Sequence, residues 1–234
     1  MKYDIVYILK NNIDTDEIRY SLRSVEKNFP YRKIWFYGGC PEGITPDEHV
    51  EIIQKGSNKW EKVNSTLKAV CKNDDITEDF WLFNDDFFVM KKPRNIKPYI
   101  KGTLQQRVRS INNKHGGVST KYSRQLATAM NILVNNNCDQ LDYALHIPML
   151  INREKGFETI RRFPMCPMFR SLYGNYWKIG GEIVPDVKVF GANDFSRDTT
   201  FLSTDDKAFE RGPAGEYIRN KFNEPSKYEE DAMT

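Results

Sequence analysis

The first ninety or so residues alternate between short strand-like runs and helix-like patterns, and this alternation constrains the fold more than any other feature. The strand-like runs are rich in β-branched and aromatic residues, and they cover residues 3–9, 33–37, 49–53 and 80–83. Between them, apolar residues recur at the spacing of one helix face, first as Ile18, Leu22, Val25 and Phe29 and then as Trp60, Val63, Leu67 and Val70. This order predicts an α/β fold with a mainly parallel, Rossmann-like sheet flanked by helices.

Polar or glycine-containing segments follow three of these strands. They are Asn11-Asn12, Gly38-Gly39 and Asn84-Asp85-Asp86. The carboxyl ends of parallel strands lie at one edge of a sheet, and ligands of such folds bind beyond that edge. We therefore expect the three segments to converge on one rim.

The second half of the chain is less regular. We expect a helix over residues 119–134 with Tyr122, Leu126, Met130 and Leu133 on one face, and a strand over residues 143–146. One or two strands are expected within residues 180–190, a last helix from Pro213, and a frayed tail over residues 226–234. No internal repeat or linker is evident, which predicts a single domain over residues 1–234.

Composition excludes several classes of protein. Of the 234 residues, 39% are hydrophobic and 13% aromatic, enough for a packed core, so overall disorder is excluded. The net charge of +3 is too small to indicate a nucleic-acid partner by itself. We find no signal peptide, no apolar run long enough to span a membrane and no CxxC pair among the four cysteines. The expected setting is a reducing cytoplasm, with free thiols and no zinc site.

The adjacent carboxylates Asp85 and Asp86 are the strongest chemical signal. They lie between two of the most apolar runs of the chain, residues 80–83 and 87–90. A turn wedged there is expected to be partly buried, and two buried carboxylates need a cation or several hydrogen-bond donors. Together with the Asn84 amide they predict a site for Mg²⁺ or Mn²⁺ that would also hold the diphosphate of a nucleotide. The alternative is a polar turn without ligands.

Other residues have a functional and a structural interpretation. Asp205 or Asp206 would serve as a general base, or would cap a short helix, which we favour. Lys62 and Asn64 lie near a helix start, where anions bind, or are ordinary surface and capping residues. Basic residues interleaved with Phe157, Phe163 and Phe169 suit a nucleic-acid backbone or a solvated helix face; they are Arg153, Lys155, Arg161, Arg162 and Arg170.

The chain resembles a known family in four segments. Residues 15–24 (TDEIRYSLRS) resemble the D-E-L-R-Y-S-L-R-S signature of the Stealth proteins, the sugar-phosphate transferases of capsular polysaccharide and lysosomal-tag synthesis. Residues 4–7 (DIVY), 83–88 (FNDDFF) and 146–148 (HIP) are similar to their D-I-V-Y, F-N-D-D-V-F and H-x-P segments. The chain departs from the family at residues 8–10 and 63–65, which leaves open whether a sugar or a sugar phosphate is transferred.

The resemblance implies a GT-A-like nucleotide-sugar fold, with residues 1–100 as the donor half and 101–225 as the acceptor half. His146 would be the third metal ligand beside Asp85 and Asp86. The donor would contact Tyr7 and Leu9 at the end of the first strand and Arg19 and Arg23 on the first helix. The other predicted donor residues are Lys62 and Asn64 on the second helix and Asn84 and Asp85 in the turn. Each also has a structural interpretation: core packing for Tyr7 and Leu9, and a solvated face or pairing with Asp16 or Glu26 for the two arginines.

These observations predict a metal-dependent glycosyltransferase. It would move a hexose from a nucleotide diphosphate sugar, UDP-linked in the first instance, to a hydroxyl acceptor on a polysaccharide or, as in small phage enzymes, on a hydroxymethylated DNA base. The alternatives are a Stealth-like sugar-phosphate transferase and a nucleic-acid-binding module without catalysis. Nothing in the sequence indicates the oligomeric state.

Overall fold

The computed structural model describes residues 2–13, 15–164 and 167–230. In the first half the elements are β1 (Asp4–Leu9), α1 (Glu17–Asn28), β2 (Ile34–Gly38), β3 (Glu48–Val50), α2 (Lys59–Cys71), β4 (Asp79–Phe83), β5 (Phe87–Val89) and β6 (Tyr99–Ile100). In the second half they are α3 (Leu104–Lys114), α4 (Lys121–Asn135), β7 (Met149–Asn152), α5 (Arg153–Arg162), α6 (Phe169–Tyr176), β8 (Glu182–Ile183), β9 (Lys188–Val189), β10 (Phe201–Thr204), α7 (Asp206–Arg211) and α8 (Pro213–Lys221).

The centre of the molecule is a five-stranded sheet in the order β3-β2-β1-β4-β7. β1 pairs in parallel with β2 and β4, and β2 pairs in parallel with β3, whereas β7 runs antiparallel to β4. A second sheet, β5-β10-β9, and a two-stranded sheet, β6-β8, complete the strands. The fold is therefore mixed α/β with a mainly parallel central sheet, as the sequence predicts.

Helices cover both faces of the central sheet. Side chains alternate along β1, so Ile5, Tyr7 and Leu9 pack with α1 on one face while Val6 packs with α2 and α5 on the other. The predicted stripe of α1 is buried, since Ile18, Leu22 and Val25 are fully enclosed and Phe29 nearly so. Separate clusters lie between the second sheet and α7–α8, and among α3, α4 and α6.

The second half differs from the sequence prediction in two places. No strand covers residues 143–146, because side chains bind the backbone N–H groups there: Tyr143 donates to Ser171 and His146 to Asp186. The strand begins instead at Met149, just after Pro148. On α4, Leu126 and Leu133 are buried as expected, but Tyr122, near the helix start, is exposed. The predicted strands around Pro185 and the helix starting at Pro213 are confirmed.

Residues 226–230 are anchored rather than frayed, while residues 231–234 lie outside the described part. Tyr228 is buried and donates to the Asp47 carboxylate at 2.8 Å. The Glu229 carboxylate accepts from Arg23 of α1 at 2.5 and 2.8 Å. The Tyr228 hydroxyl therefore holds this segment to the residue before β3, and the Glu229 ion pair holds it to α1, contacts that its polar sequence did not indicate.

Candidate functional site

The strand order of the central sheet places a topological switch point at its carboxyl edge. From β1 the chain winds outward to β2 and β3, then returns to place β4 on the other side of β1. β1 and β4 therefore flank the topological switch point, where ligands of such sheets bind. The Asp85-Asp86 pair begins two residues beyond the end of β4.

The three polar segments predicted to converge do so. Gly38 and Gly39 lie against the backbone at the end of β1, so that a Cβ added to them would meet the Leu9 carbonyl oxygen at 2.1 Å and the Lys10 carbonyl oxygen at 2.3 Å. Gln54 donates to the same Leu9 oxygen at 2.6 Å and brings the segment after β3 to this edge. The rim is thus built from the ends of β1, β2 and β4 together.

Asp85 and Asp86 occupy the turn that carries the chain from the central sheet to the second sheet, closed by a bond from Phe87 N–H to the Asn84 carbonyl. Asp86 is 9% exposed. Its Oδ2 accepts from Lys188 Nζ at 2.6 Å and from Ser203 Oγ at 3.1 Å. Its Oδ1 is buried and finds no hydrogen-bond partner among the residues described. The second carboxylate oxygen of Asp86 is therefore free to bind a ligand.

Asp85 is half-buried beside Asp86. Burial, and next the charge of Asp86, raise the pKa of the Asp85 carboxyl, while the positive charges of Lys59 and Lys10 oppose the shift. Lys59 is the first residue of α2, capped by Asn58. Two lysines, one of them at the amino terminus of α2, therefore act on the same carboxylate.

A buried arginine, Arg170, packs against the turn that carries the two aspartates. Arg170 donates to the backbone oxygens of Ile147, at 2.6 Å, and Leu145, at 3.2 Å, and its guanidinium lies 5.3 Å from the Phe87 ring centre. Burial lowers its pKa to about 10, and the Asp86 charge opposes that shift. Arg170 thus holds residues 145–147 next to the turn that carries Asp85 and Asp86.

Glu17 is a further acidic group at this edge. It begins α1, is 5% exposed, and accepts from Thr204 Oγ1 at 2.8 Å. Burial is the main cause that raises its pKa from 4.5 to about 7, and the charges of Asp86, Asp85 and Asp206 add to the shift, against the Thr204 bond. In the sequence Asp14 and Glu17 have the spacing of a helix capping box, but Asp14 lies outside the described residues.

The raised pKa of Glu17 predicts a pH-dependent stability. The folded state favours the protonated form of Glu17. The stabilisation of the fold by this protonated group is therefore complete below pH 4.5 and is lost as pH rises through about 7. We expect this group to lower the free energy of unfolding by up to roughly 3 kcal/mol between pH 4.5 and 8. Urea unfolding at several pH values should show this decline in the native chain and not in Glu17→Gln, whereas Glu216→Gln, an exposed control, should keep it. An unchanged pH profile in Glu17→Gln would contradict this assignment.

His146 lies at the same edge, since β7, which follows it, pairs Met149 with Leu82 of β4. Its Nδ1 lies 2.9 Å from the Asp186 carboxylate, which also accepts from Lys101 at 2.6 Å. His146 and Lys101 hold the pKa of Asp186 well below its usual range despite burial. Within the described ranges, no three His, Cys, Asp or Glu side chains form a group that could hold a metal ion. The structure therefore does not assemble Asp85, Asp86 and His146 as three ligands of one metal.

The predicted donor residues on β1 and α1 are engaged elsewhere. Tyr7 is fully buried with its hydroxyl on Ser21, and Leu9 is 1% exposed, which favours core packing for both. Arg19 donates to the backbone of the 42–43 segment, and Arg23 pairs with Glu229. Ion pairing and loop anchoring are thus the favoured interpretation of both arginines.

On α2 and in the turn, the remaining predicted residues lie near the rim. Lys62 is exposed close to the start of α2, and Asn64, two residues further on, is buried. Asn84 is exposed and opens the turn that contains the aspartates. These three positions are compatible with donor binding, which stays a prediction.

The two aspartates of the second acidic pair, Asp205 and Asp206, have different environments. Asp205 caps α7 by accepting from Ala208 N–H at 2.9 Å, and it also accepts from Gly191 N–H. Asp206 lies in the first turn of the same helix, close enough to raise the pKa of Glu17. The capping interpretation is confirmed for Asp205.

The basic segment around α5 is largely paired. Arg153 binds Asp74 at 2.7 Å, Arg161 binds Glu158 at 2.7 Å, and Arg170 is buried as described above. Phe163 and Phe169 are buried as well. These residues do not form a free basic surface with exposed aromatics.

Sequence reasoning missed four contributors to the site. They are Glu17, Lys188, Ser203 and Arg170 in its role of holding residues 145–147 beside the turn. Lys188 and Ser203 lie more than a hundred residues after Asp86 and reach it only through the pairing of β10 with β5 and β9. Both are polar residues within very short strands, Lys188 at the start of β9 and Ser203 inside β10, and no local sequence signal links them to Asp86.

The donor set fits a divalent cation bound together with a ligand. Mg²⁺ and Mn²⁺ sites at phosphates use one or two carboxylates and leave the remaining positions to phosphate oxygens and water. Among the described residues Asp86 offers a buried, unpartnered Oδ1, and Asp85 is a neighbouring carboxylate. A site of this kind would need only these two protein ligands.

Comparisons with known proteins identify no family for this chain. No protein-family model matches the sequence, and no curated protein matches it. Among solved structures, the apo-form glycosyltransferase GlyE of Streptococcus pneumoniae TIGR4 is similar, with a TM-score of 0.32 and 10% identity over 72% of this chain and 53% of that one. The chain thus spans about half the length of that structure. The function proposed below rests on the site's own geometry.

Within the described residues, no helix has the length and apolar character required to cross a membrane. Cys40, Cys71 and Cys138 are free thiols, and Cys166 lies outside the described part.

Proposed function

We propose that this chain is a metal-dependent glycosyltransferase that takes a sugar from a nucleotide diphosphate donor. One observation carries the proposal: the Asp85-Asp86 turn lies at the switch point of a mainly parallel sheet, and Asp86 keeps a buried oxygen without a partner. A buried carboxylate oxygen with no donor is costly unless a ligand satisfies it. A cation held by Asp85 and Asp86 would meet that requirement.

The residues of the rim suit a diphosphate ester. Asp85 and Asp86 would hold Mn²⁺ or Mg²⁺, which neutralises charge on the departing diphosphate. Lys10 and Lys59 place positive charge beside Asp85, and Lys59 is the first residue of α2, whose amino terminus would favour an anion. Arg170 keeps the 145–147 segment, and with it His146, against the end of β4.

The transferred group and the acceptor belong to the proposal as well. We propose transfer of a hexose to a hydroxyl group of a glycan or a modified DNA base. Phosphorus analysis of the product separates this from sugar-phosphate transfer, because the phosphate either stays on the nucleotide or moves with the sugar. The paired arginines around α5 give no support to a nucleic-acid-binding module without catalysis.

Ligand-linked stability tests the proposal directly. At a hundred times the dissociation constant a ligand adds about 2.7 kcal/mol, which for a chain of this size raises the melting temperature by about 5–10 °C. We expect such a rise with at least one of UDP-glucose, UDP-galactose and UDP-N-acetylglucosamine in the presence of Mn²⁺, and a much smaller one with EDTA. No shift with any UDP-, GDP- or CDP-sugar together with Mn²⁺ or Mg²⁺ would refute the function.

A further inference from the structure

Lys188 and Asp86 form an ion pair inside the proposed donor site. Nζ of Lys188, at the start of β9, lies 2.6 Å from Asp86 Oδ2, and the two side chains are 16% and 12% exposed. Ser203 Oγ binds the same oxygen at 3.1 Å. The ammonium therefore neutralises the carboxylate that would hold the cation.

A divalent cation and this ammonium compete for one carboxylate. Two positive charges a few ångströms apart repel strongly where water is scarce. Arg170 adds a third positive charge and is fixed, because backbone oxygens of Leu82, Leu145 and Ile147 hold its guanidinium. Lys188 is the mobile member, since a lysine ammonium sits on a flexible four-carbon stem.

A nucleotide diphosphate removes this conflict. Its negative charge offers the displaced ammonium a new partner, and its oxygens complete the shell of the cation. Without it, a cation on Asp86 Oδ1 would lie close to the Lys188 ammonium on Oδ2 and weaken that ion pair in a poorly solvated place, which is unfavourable.

We propose that Lys188 is a donor-binding residue that changes partners, from Asp86 in the ligand-free protein to the diphosphate in the loaded one. The cation therefore binds together with the nucleotide and only weakly before it. This inference rests on the function proposed above and adds the residue that couples cation binding to donor binding.

Isothermal titration of Mn²⁺ alone, and of UDP at saturating Mn²⁺, tests the exchange in Lys188→Met. The variant should bind Mn²⁺ alone at least about tenfold more tightly than the native chain, because the competing charge is gone, and should bind UDP with Mn²⁺ about tenfold or more weakly. Lys91→Met is the matched control: Lys91 pairs with the exposed Asp198 at 2.6 Å and should leave both affinities unchanged.

Opposite changes in the two affinities distinguish an exchanging residue from a structural one. If Lys188→Met leaves either affinity within about twofold of the native value, the exchange is refuted. Should the methionine variant not fold, Lys188→Gln removes the charge while its amide still donates to Asp86, and the same two changes are expected of it. A native chain that binds no nucleotide with Mn²⁺ refutes the proposed function and the exchange together, whereas failure confined to the variants refutes the exchange alone.

Discussion

Replacement of Asp4 by alanine should lower the free energy of unfolding by about 3–5 kcal/mol. Asp4 is fully buried at the start of β1. Its carboxylate accepts from Arg32 Nε at 2.7 Å and Nη2 at 2.6 Å, from Trp35 Nε1 at 3.1 Å, and from the backbone N–H groups of Thr77 at 3.1 Å and Lys33 at 3.2 Å. Alanine leaves these donors without an acceptor, and the indole and backbone groups cannot turn to water as the half-exposed Arg32 can.

Urea unfolding of the purified variant measures this loss. Asp198→Ala provides the control, because Asp198 also forms a 2.6 Å ion pair but with both side chains exposed, and its removal should cost less than about 1 kcal/mol. A loss below about 1 kcal/mol for Asp4→Ala would show that water or neighbouring groups satisfy the donors. The test uses stability alone, so it is independent of the proposed function.

The central sheet was predictable because its signals are local. Each strand of the first half is a short apolar run, and each helix carries its own stripe, so β1, α1, β2, α2 and β4 follow from nearby residues alone. Side-chain bonds to the backbone were not predictable in this way. Residues 143–146 have the composition of a strand, yet Ser171 and Asp186 bind their N–H groups from 28 and 40 residues away.

The candidate site was likewise predictable only where its residues are neighbours in the sequence. Asp85 and Asp86 are visible because the strand that places them directly precedes them. Lys188 and Ser203 are not, because their contact with Asp86 depends on how β5, β10 and β9 pair. No sequence pattern specifies that pairing.

Arg19 and Arg23 illustrate a different limit. Their spacing correctly places them off the buried stripe of α1. Spacing does not say what covers that face, and here residues 42–43 and Glu229 do. A basic helix face therefore had two interpretations in the sequence, and only the tertiary contacts favour one.

Asp86→Asn should reduce hydrolysis and transfer of a UDP-sugar by at least about a hundredfold, equivalent to about 3 kcal/mol. Asparagine has nearly the same shape and can still accept from Lys188 and Ser203, which hold Oδ2 of the native residue. The change removes the negative charge that would bind the cation and that Lys188 faces in the ligand-free state. We therefore expect Mn²⁺-dependent binding of UDP to weaken while the fold is kept, as checked by the melting temperature without ligand.

The second Asp-Asp pair supplies the matched control for this change. Asp205→Asn makes the same chemical substitution at a residue whose carboxylate caps α7, and asparagine caps helices as well as aspartate does. It should therefore retain nearly full activity, whereas a loss in Asp206→Asn alone would identify Asp206 as the general base that acts on the acceptor.

Hydrolysis of the donor by Asp86→Asn at the native rate, with saturating UDP-sugar and an unchanged Mn²⁺ requirement, would remove Asp86 from the cation site. The cation would then need other ligands, and since the described residues contain no group of three His, Cys, Asp or Glu side chains to supply them, a metal-dependent mechanism at this edge of the sheet would fall with it.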